Sequence, residues 1–303
     1  MKTIAILVPT IDSGGAEKQA VLFATRISQY VRVNLIVLYG SRTEYKANID
    51  LLSESNVQVH KLVGNLLAKI FKIRQILKTT QTDVLFNYLS LPDVIGSFIG
   101  YCQNVRVYNG IRTTRLSHEK EIIEKWAHNH WATGTIYNCF SGSQYFGNKG
   151  FDIKKNIVIP NCFPNIADPI LREEKKQKTI ITVGRFDPSK DYKTLVKSIS
   201  LLQRSDFRLC IVGYGVLEKE IRGWVKEFGI IDKTDIYIKP NNVSELERNA
   251  DIYISTSLFE GTSNSIMEAL NWSLPVVATN VGDNDRLVID GKNGYLHPVG
   301  DVS

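Results

Sequence analysis

The segment Ser257-Leu258-Phe259-Glu260-Gly261-Thr262-Ser263-Asn264-Ser265-Ile266-Met267-Glu268-Ala269-Leu270 concentrates residues suited to chemistry. Glu260 falls in a loop after a strand-like run, and Glu268 falls inside the helix that follows. Gly261 leaves room for a ligand against the free N–H groups of the helix start. Thr262 or Ser263, just before Asn264, is placed to cap that helix. Ile266, Ala269 and Leu270 share a face that would pack on a sheet. Two carboxylates at different depths can hold hydroxyls on two parts of one ligand. A blander reading has Glu260 favouring the positive helix end and Glu268 solvated.

Further candidates lie upstream. In Thr182-Val183-Gly184-Arg185-Phe186-Asp187-Pro188-Ser189-Lys190, Arg185 and Lys190 bracket a short loop after a strand. A planar guanidinium and a compact ammonium together suit a diphosphate. Most charged side chains are solvated, so position alone favours reading them as two surface charges. Val212-Gly213-Tyr214-Gly215 also follows a strand, but a dinucleotide fingerprint needs a third glycine where Glu218 stands. Gly14-Gly15 opens the first helix, and its backbone can approach an anion or simply make a tight turn. His128 and His130 are two apart on one helix, face different ways and make a poor metal pair.

These residues need elements to position them, and the apolar pattern supplies two series. In the first half, Ile4–Val8, Val33–Leu38, Val57–Leu62, Val84–Asn87, Val105–Tyr108 and Ile136–Cys139 read as strands. Helical stretches at Ala16–Gln29, Leu66–Lys78 and His118–His130 lie between them. Continuous rather than alternating apolar runs suit parallel strands buried on both faces. Pro160, Pro164, Pro169 and the charged run Arg172–Lys176 break the rhythm, as a linker would. From Thr179 the second series has strands at Ile180–Val183, Leu209–Val212, Ile236–Ile238, Ile252–Ser255 and Val276–Ala278. Its helices are expected at Tyr192–Gln203, Val216–Glu227, Ser244–Asn249 and Ser265–Trp272. The expectation is an α/β chain of two doubly wound domains facing a cleft: 1-164, a linker 165-178, and 179-303.

Composition sets limits. The chain has 303 residues, 43% apolar and 22% charged, enough for two cores. The net charge of +6, with pI near 9.0, suits solubility or anionic ligands. Four cysteines without a C-x-x-C pair argue against a zinc site or disulfide framework and for cytoplasmic thiols. The run Ile4–Val8 stops at Pro9, too short for a signal peptide. No apolar run approaches the ~20 residues of a bilayer span. Helix Leu66–Lys78 is basic and amphipathic, with Lys69, Lys72, Arg74 and Lys78. It reads either as a sheet-packing helix or as a peripheral contact for anionic membrane.

Five ordered motifs resemble glycosyltransferase family 4: Gly184-Arg185 with Lys190, Gly213-x-Gly215, Glu260-x7-Glu268, Pro275-Val276-Val277-Ala278 and Asn293-Gly294-Tyr295-Leu296. The resemblance implies the GT-B fold and a retaining transferase using a nucleotide-sugar, with UDP the commonest nucleotide. It implies a glycan or lipid-linked acceptor, bacterial surface polysaccharide synthesis such as lipopolysaccharide or capsule, and no metal or other cofactor. Nucleic acid is not an expected partner. Arg185 and Lys190 would stabilise the diphosphate, Glu268 the ribose and Glu260 the donor sugar. Backbone N–H groups near Gly261, Thr262, Ser263 and Asn264 would complete the phosphate site. Gly14 and Gly15 would face phosphates or acceptor, and the base would lie near Lys239-Pro240-Asn241. The family often places an assisting histidine where His118 stands, although the local match is poor. Gly282-Asp283-Asn284-Asp285-Arg286 departs from the family's Gly-Gly-x-x-Glu stretch. The chain ends at Ser303, where relatives continue with closing helices, so a truncated second domain is expected. A GT-B nucleotide-sugar epimerase and a non-catalytic donor-binding fragment are the competing readings.

Overall fold

The computed structural model describes residues 1–12, 14–42, 44–112, 116–162 and 166–302. The chain divides into two compact units, Met1–Pro164 and Asn165–Ser303. In the first, strands β1 (Thr3–Val8), β2 (Arg32–Val37), β3 (Val57–Lys61), β4 (Val84–Asn87), β5 (Arg106–Ile111), β6 (Gly134–Tyr137) and β7 (Asn156–Val158) form a parallel sheet. Their spatial order is β3-β2-β1-β4-β5-β6-β7. The continuous apolar run of β1 has the expected cause. Ile6 and Val8 pack with Ala20, Val21 and Ala24. Ala5 and Leu7 pack with Ile73, Ile76 and Leu77 on the other face.

The second unit holds β8 (Lys178–Arg185), β9 (Phe207–Tyr214), β10 (Thr234–Ile238), β11 (Ile252–Ser255), β12 (Val276–Thr279) and β13 (Gly294–His297). All pair in parallel, in the order β10-β9-β8-β11-β12-β13. The chain leaves β8 toward β9 and β10, then returns to lay β11 against the other side of β8. Connections therefore diverge between the carboxyl ends of β8 and β11, and such a switch point opens a crevice above the sheet. The first sheet has the same arrangement between β1 and β4.

Differences from the sequence expectation have local causes. Edge strands β7 and β13 are short and partly polar, so neither gives an apolar run. Helix Ser90–Gln103 contains Pro92, Gly96 and Gly100, which read as breakers. Pro92 lies in the first turn, where no N–H is needed. A Cβ at Gly100 would sit 2.2 Å from Val107 Cγ2. The glycine permits that close approach to the sheet. Helices Lys46–Ser53 and Phe140–Asn148 were likewise not expected.

The stretch expected as a linker is bound along the second unit. The Ala167 amide donates to Asn271 Oδ1 (3.0 Å), and the Ile170 amide donates to Ser273 Oγ (3.1 Å). Arg172 donates to the carbonyls of Arg248 (3.1 Å), Ala250, Trp272 (2.6 Å) and Ser273 (3.4 Å). One guanidinium thus closes the carboxyl ends of two helices, Val243–Asn249 and Asn264–Asn271. A cation there satisfies orphan carbonyls and meets the negative end of each dipole.

Candidate active site at the switch point of the second sheet

Strand β8 delivers Gly184 and Arg185 to the crevice, and a single 3-10 turn, Pro188–Lys190, follows. Asp187 opens that turn, its Oδ1 accepting from the Ser189 amide (2.9 Å) and from the Ser189 hydroxyl. Asp191, at φ 45°, caps the next helix by accepting from the Thr194 amide at 3.3 Å. These two caps fix Lys190 between them. Its ammonium donates to Glu260 Oε1 at 2.5 Å, with side-chain exposures of only 22% and 13%. Ser257 Oγ donates to the same carboxylate oxygen at 2.8 Å.

The two loops are also tied through their backbones. Thr256 Oγ1 donates to the carbonyls of Lys190 and Asp191, both at 3.0 Å. The Leu258 amide donates to the Ser189 carbonyl at 2.8 Å. Thr279 Oγ1 donates to the Ser257 carbonyl at 2.6 Å. Gly282, at φ +59°, lies against the Glu260 and Gly261 backbone, where a Cβ would come within 2.4 Å of the Glu260 oxygen. The Asp283 amide donates to the Gly261 carbonyl at 3.1 Å. The departing Gly282–Arg286 stretch therefore supports the Glu260 loop with its backbone, which does not require the family's glutamate.

Arg185 is largely exposed, 3.6 Å from Asp187. Gly184 and Gly213 stand side by side on β8 and β9, and a Cβ on Gly213 would sit 1.9 Å from the Gly184 oxygen. The Lys239 amide donates to the Gly213 carbonyl at 3.1 Å. Its ammonium lies 4.5 Å from the Tyr214 ring centroid. Pro240, at the end of β10, is thereby brought beside the Gly213–Gly215 turn. Ser263, not Thr262, caps helix Asn264–Asn271, its Oγ accepting from the Ile266 amide at 3.5 Å. Glu268 is half-buried on that helix.

The structure thus brings Gly184, Lys190 and Glu260 together and lines up Gly213 and Pro240 on the neighbouring strand ends. Thr256, Ser257 and Thr279 were missed. Their hydroxyls leave no periodic signal, although Ser255-Thr256-Ser257 at a strand end could have suggested one. The other candidates belong to the first unit. Gly14 caps helix Gly15–Ile27 with an extended backbone, and the Glu17 carboxylate folds back to where a Gly14 Cβ would stand. Glu17 thus supplies the helix start with an anion from within the chain. His118 is exposed at the first position of helix His118–His130. His128 is a core residue, hydrogen-bonded to Thr135 Oγ1 (2.7 Å) and the Asp152 carbonyl (3.0 Å). Burial pushes its pKa down. Among the described residues, no group of three or more His, Cys, Asp or Glu side chains is arranged to hold a metal.

Residues 165–303 match the model of the glycosyl transferases group 1 family. An uncharacterised glycosyltransferase of Haemophilus influenzae is 31% identical over 98% of this chain and 86% of its own length. The chain belongs to the glycosyl transferases group 1. This glycosyltransferase is also 22% identical, over 98% of its length and 84% of the relative's, to a Campylobacter jejuni enzyme. That relative is named an α-1,4-N-acetyl-D-galactosaminyltransferase acting on a diphospho-undecaprenol-linked glycan. HepE of Anabaena, solved with UDP-glucose, superposes with a TM-score of 0.84 at 18% identity. The superposition covers 100% of this glycosyltransferase and 87% of HepE. The two parallel-sheet units are those of a GT-B fold. Among the described residues, no helix of this glycosyltransferase is long and apolar enough to cross a membrane.

Proposed function

We propose that this glycosyltransferase moves a sugar, with retention, from a UDP-sugar to a lipid-linked glycan in bacterial surface polysaccharide assembly. The observation that carries the reading is the Lys190–Glu260 pair, held by Ser257 at the β8–β11 switch point. A charged pair in a crevice suits a ligand that presents a diphosphate and hydroxyls side by side. Lys190 and Arg185 neutralise the diphosphate as the bond from the sugar C1 to the phosphate oxygen breaks. Glu260 holds the donor sugar, and Glu268 takes the ribose hydroxyls. Amides at Gly261–Asn264 face the phosphates from the helix start. The acceptor oxygen bonds to C1 on the face the phosphate leaves, and its proton passes to the departing phosphate oxygen. The charge is met by side chains and amides, so the reaction proceeds without a bound metal or other cofactor. The UDP-glucose complex of HepE and the undecaprenol-linked acceptor of the Campylobacter relative support the choice of donor and acceptor.

A lipid-linked acceptor calls for peripheral contact with the inner face of the cytoplasmic membrane, and helix Leu66–Thr79 supports it. Ile73, Ile76 and Leu77 of this helix pack in the core. Leu67 and Phe71 point outward, 77% and 70% exposed, beside Lys72. Such a helix has one apolar face for the sheet and a second for a bilayer surface. Lys69 takes no part, since it is buried over the Tyr39 ring at 4.5 Å.

Calorimetry with UDP tests the donor site, with Arg185→Ala and Glu268→Ala each expected to weaken binding about tenfold or more. Unchanged affinity in both would remove the assignment. A thermal-shift screen against UDP-, GDP- and ADP-sugars identifies the nucleotide, because a ligand of the native state raises the melting midpoint.

A further inference from the structure

Helix Ser90–Gln103 has a surface without charge. Its one charged residue, Asp93, is buried, while Leu91, Phe98 and Tyr101 stand exposed. Helix His118–His130 packs beside it and extends the apolar face. The Phe98 ring lies 5.1 Å from Trp131, Trp131 lies 4.2 Å from Trp126, and Trp126 lies 4.9 Å from His130, centroid to centroid. Ile122, Ile123 and Trp126 are each about half exposed. The outward stripe of this second helix reads Glu119, Ile123, Trp126, His130, all neighbours on one helix face. A bilayer contact draws on Lys and Arg around its apolar residues. Helix Leu66–Thr79 offers them in Lys72, Arg74 and Lys78, and helix Ser90–Gln103 offers none.

We propose that this two-helix face is the contact between two copies of the chain, related by a two-fold axis. Such a contact brings a surface against itself, so a charged helix would repel its own copy and an uncharged one does not. Aromatic enrichment with few charges is also the composition of an interface core. The stripe on helix His118–His130 is complementary to itself. When two copies cross antiparallel about its midpoint, Glu119 meets His130 of the second copy, and Ile123 meets Trp126. Symmetry makes each pair twice. The carboxylate accepts from the imidazole at the rim, and the isoleucine covers the indole at the centre. Helix Ser90–Gln103 faces its own copy alongside, with no charge to desolvate. The exposed side chains of the two helices span on the order of 500 Å². With a polar rim, that approaches the ~800 Å² per partner of a standard interface.

Sedimentation equilibrium of the whole chain tests the contact. The mass is expected to approach twice 34.2 kDa at micromolar concentration. Ile123→Glu sets a carboxylate against the indole of the second copy and should weaken the dimer at least ~10-fold. Ile123 is half exposed, so the melting midpoint of the diluted variant should match that of diluted wild type. Exchange of the rim charges tests the antiparallel register. Glu119→Lys alone faces an imidazole and should weaken the dimer, and adding His130→Glu should restore it. A wild type that stays monomeric, a dimer indifferent to Ile123→Glu, or an exchange that restores nothing overturns the proposal. So does a monomeric wild type that binds vesicles of phosphatidylglycerol and phosphatidylcholine and loses them on Ile123→Glu, since the face then meets a bilayer. None of these readouts depends on where the donor binds.

Discussion

Lys190 and Glu260 are 70 positions apart in the chain, yet each is the other's direct partner. Lys190→Ala removes a charge from the diphosphate and leaves Glu260 without its cation in a half-buried place. Turnover of the donor should fall on the order of 10- to 150-fold, the equivalent of 1.5–3 kcal/mol, in a coupled assay. Gly213→Ala acts through space instead, because its Cβ would collide with the Gly184 carbonyl. Strands β8 and β9 would have to part, so a lowered melting midpoint with loss of UDP binding is expected. Arg185, Lys190 and Glu260 each follow an apolar run read as a strand, but it was the resemblance to glycosyltransferase family 4, not spacing, that singled them out. The ties made by Thr256 and Ser257 were not legible. A hydroxyl bound to a distant backbone carbonyl has no period, and its residue type is common in any loop.

At the scale of elements, helices are placed by buried polar contacts as well as by their apolar faces. Asp93 of helix Ser90–Gln103 accepts from the Gly110 amide at 3.0 Å, tying helix to β5. Burial, then the nearby Glu124, hold its carboxyl well above the ordinary 3.8. A folded-state value raised in this way means that stability is full below the unfolded value, near 3.8, and declines as pH rises toward the folded one. Asp93→Asn keeps an acceptor for Gly110 and never ionises. Its melting midpoint should exceed that of wild type at neutral pH, and the gap should close near pH 4. This helix was not read from sequence because Gly96 and Gly100 mimic breakers; only the fitted sheet shows that they are contact points. By contrast, His118–His130 was read correctly to the residue, since its charged first turn and apolar period agree.

The whole molecule repeats one plan, and that repetition was visible in the sequence as two series of apolar runs and polar gaps. Strand order was not, because it depends on which edge each crossover chooses. Nor was the outward apolar face of helix Leu66–Thr79, since periodicity cannot tell which of two stripes meets the sheet. Sedimentation with anionic vesicles tests what that face does for the intact chain. Leu67→Ser with Phe71→Ser should lower the bound fraction several-fold while leaving the fold intact, because both side chains are exposed. Added salt should lower binding of wild type as well, through screening of Lys72 and its neighbours.

Arg172 lies ahead of every strand of the second sheet, yet it grips helix Val243–Asn249 and the helix that carries Glu268. A second unit excised for separate study therefore has its natural starting point before the first strand residue. Begun at Thr179, where the strand pattern sets in, it would lose the clasp and with it the relation between those two helices. Begun at Asn165, it would keep the clasp. Comparing UDP binding by the two excised forms would show how far the pocket depends on that clasp.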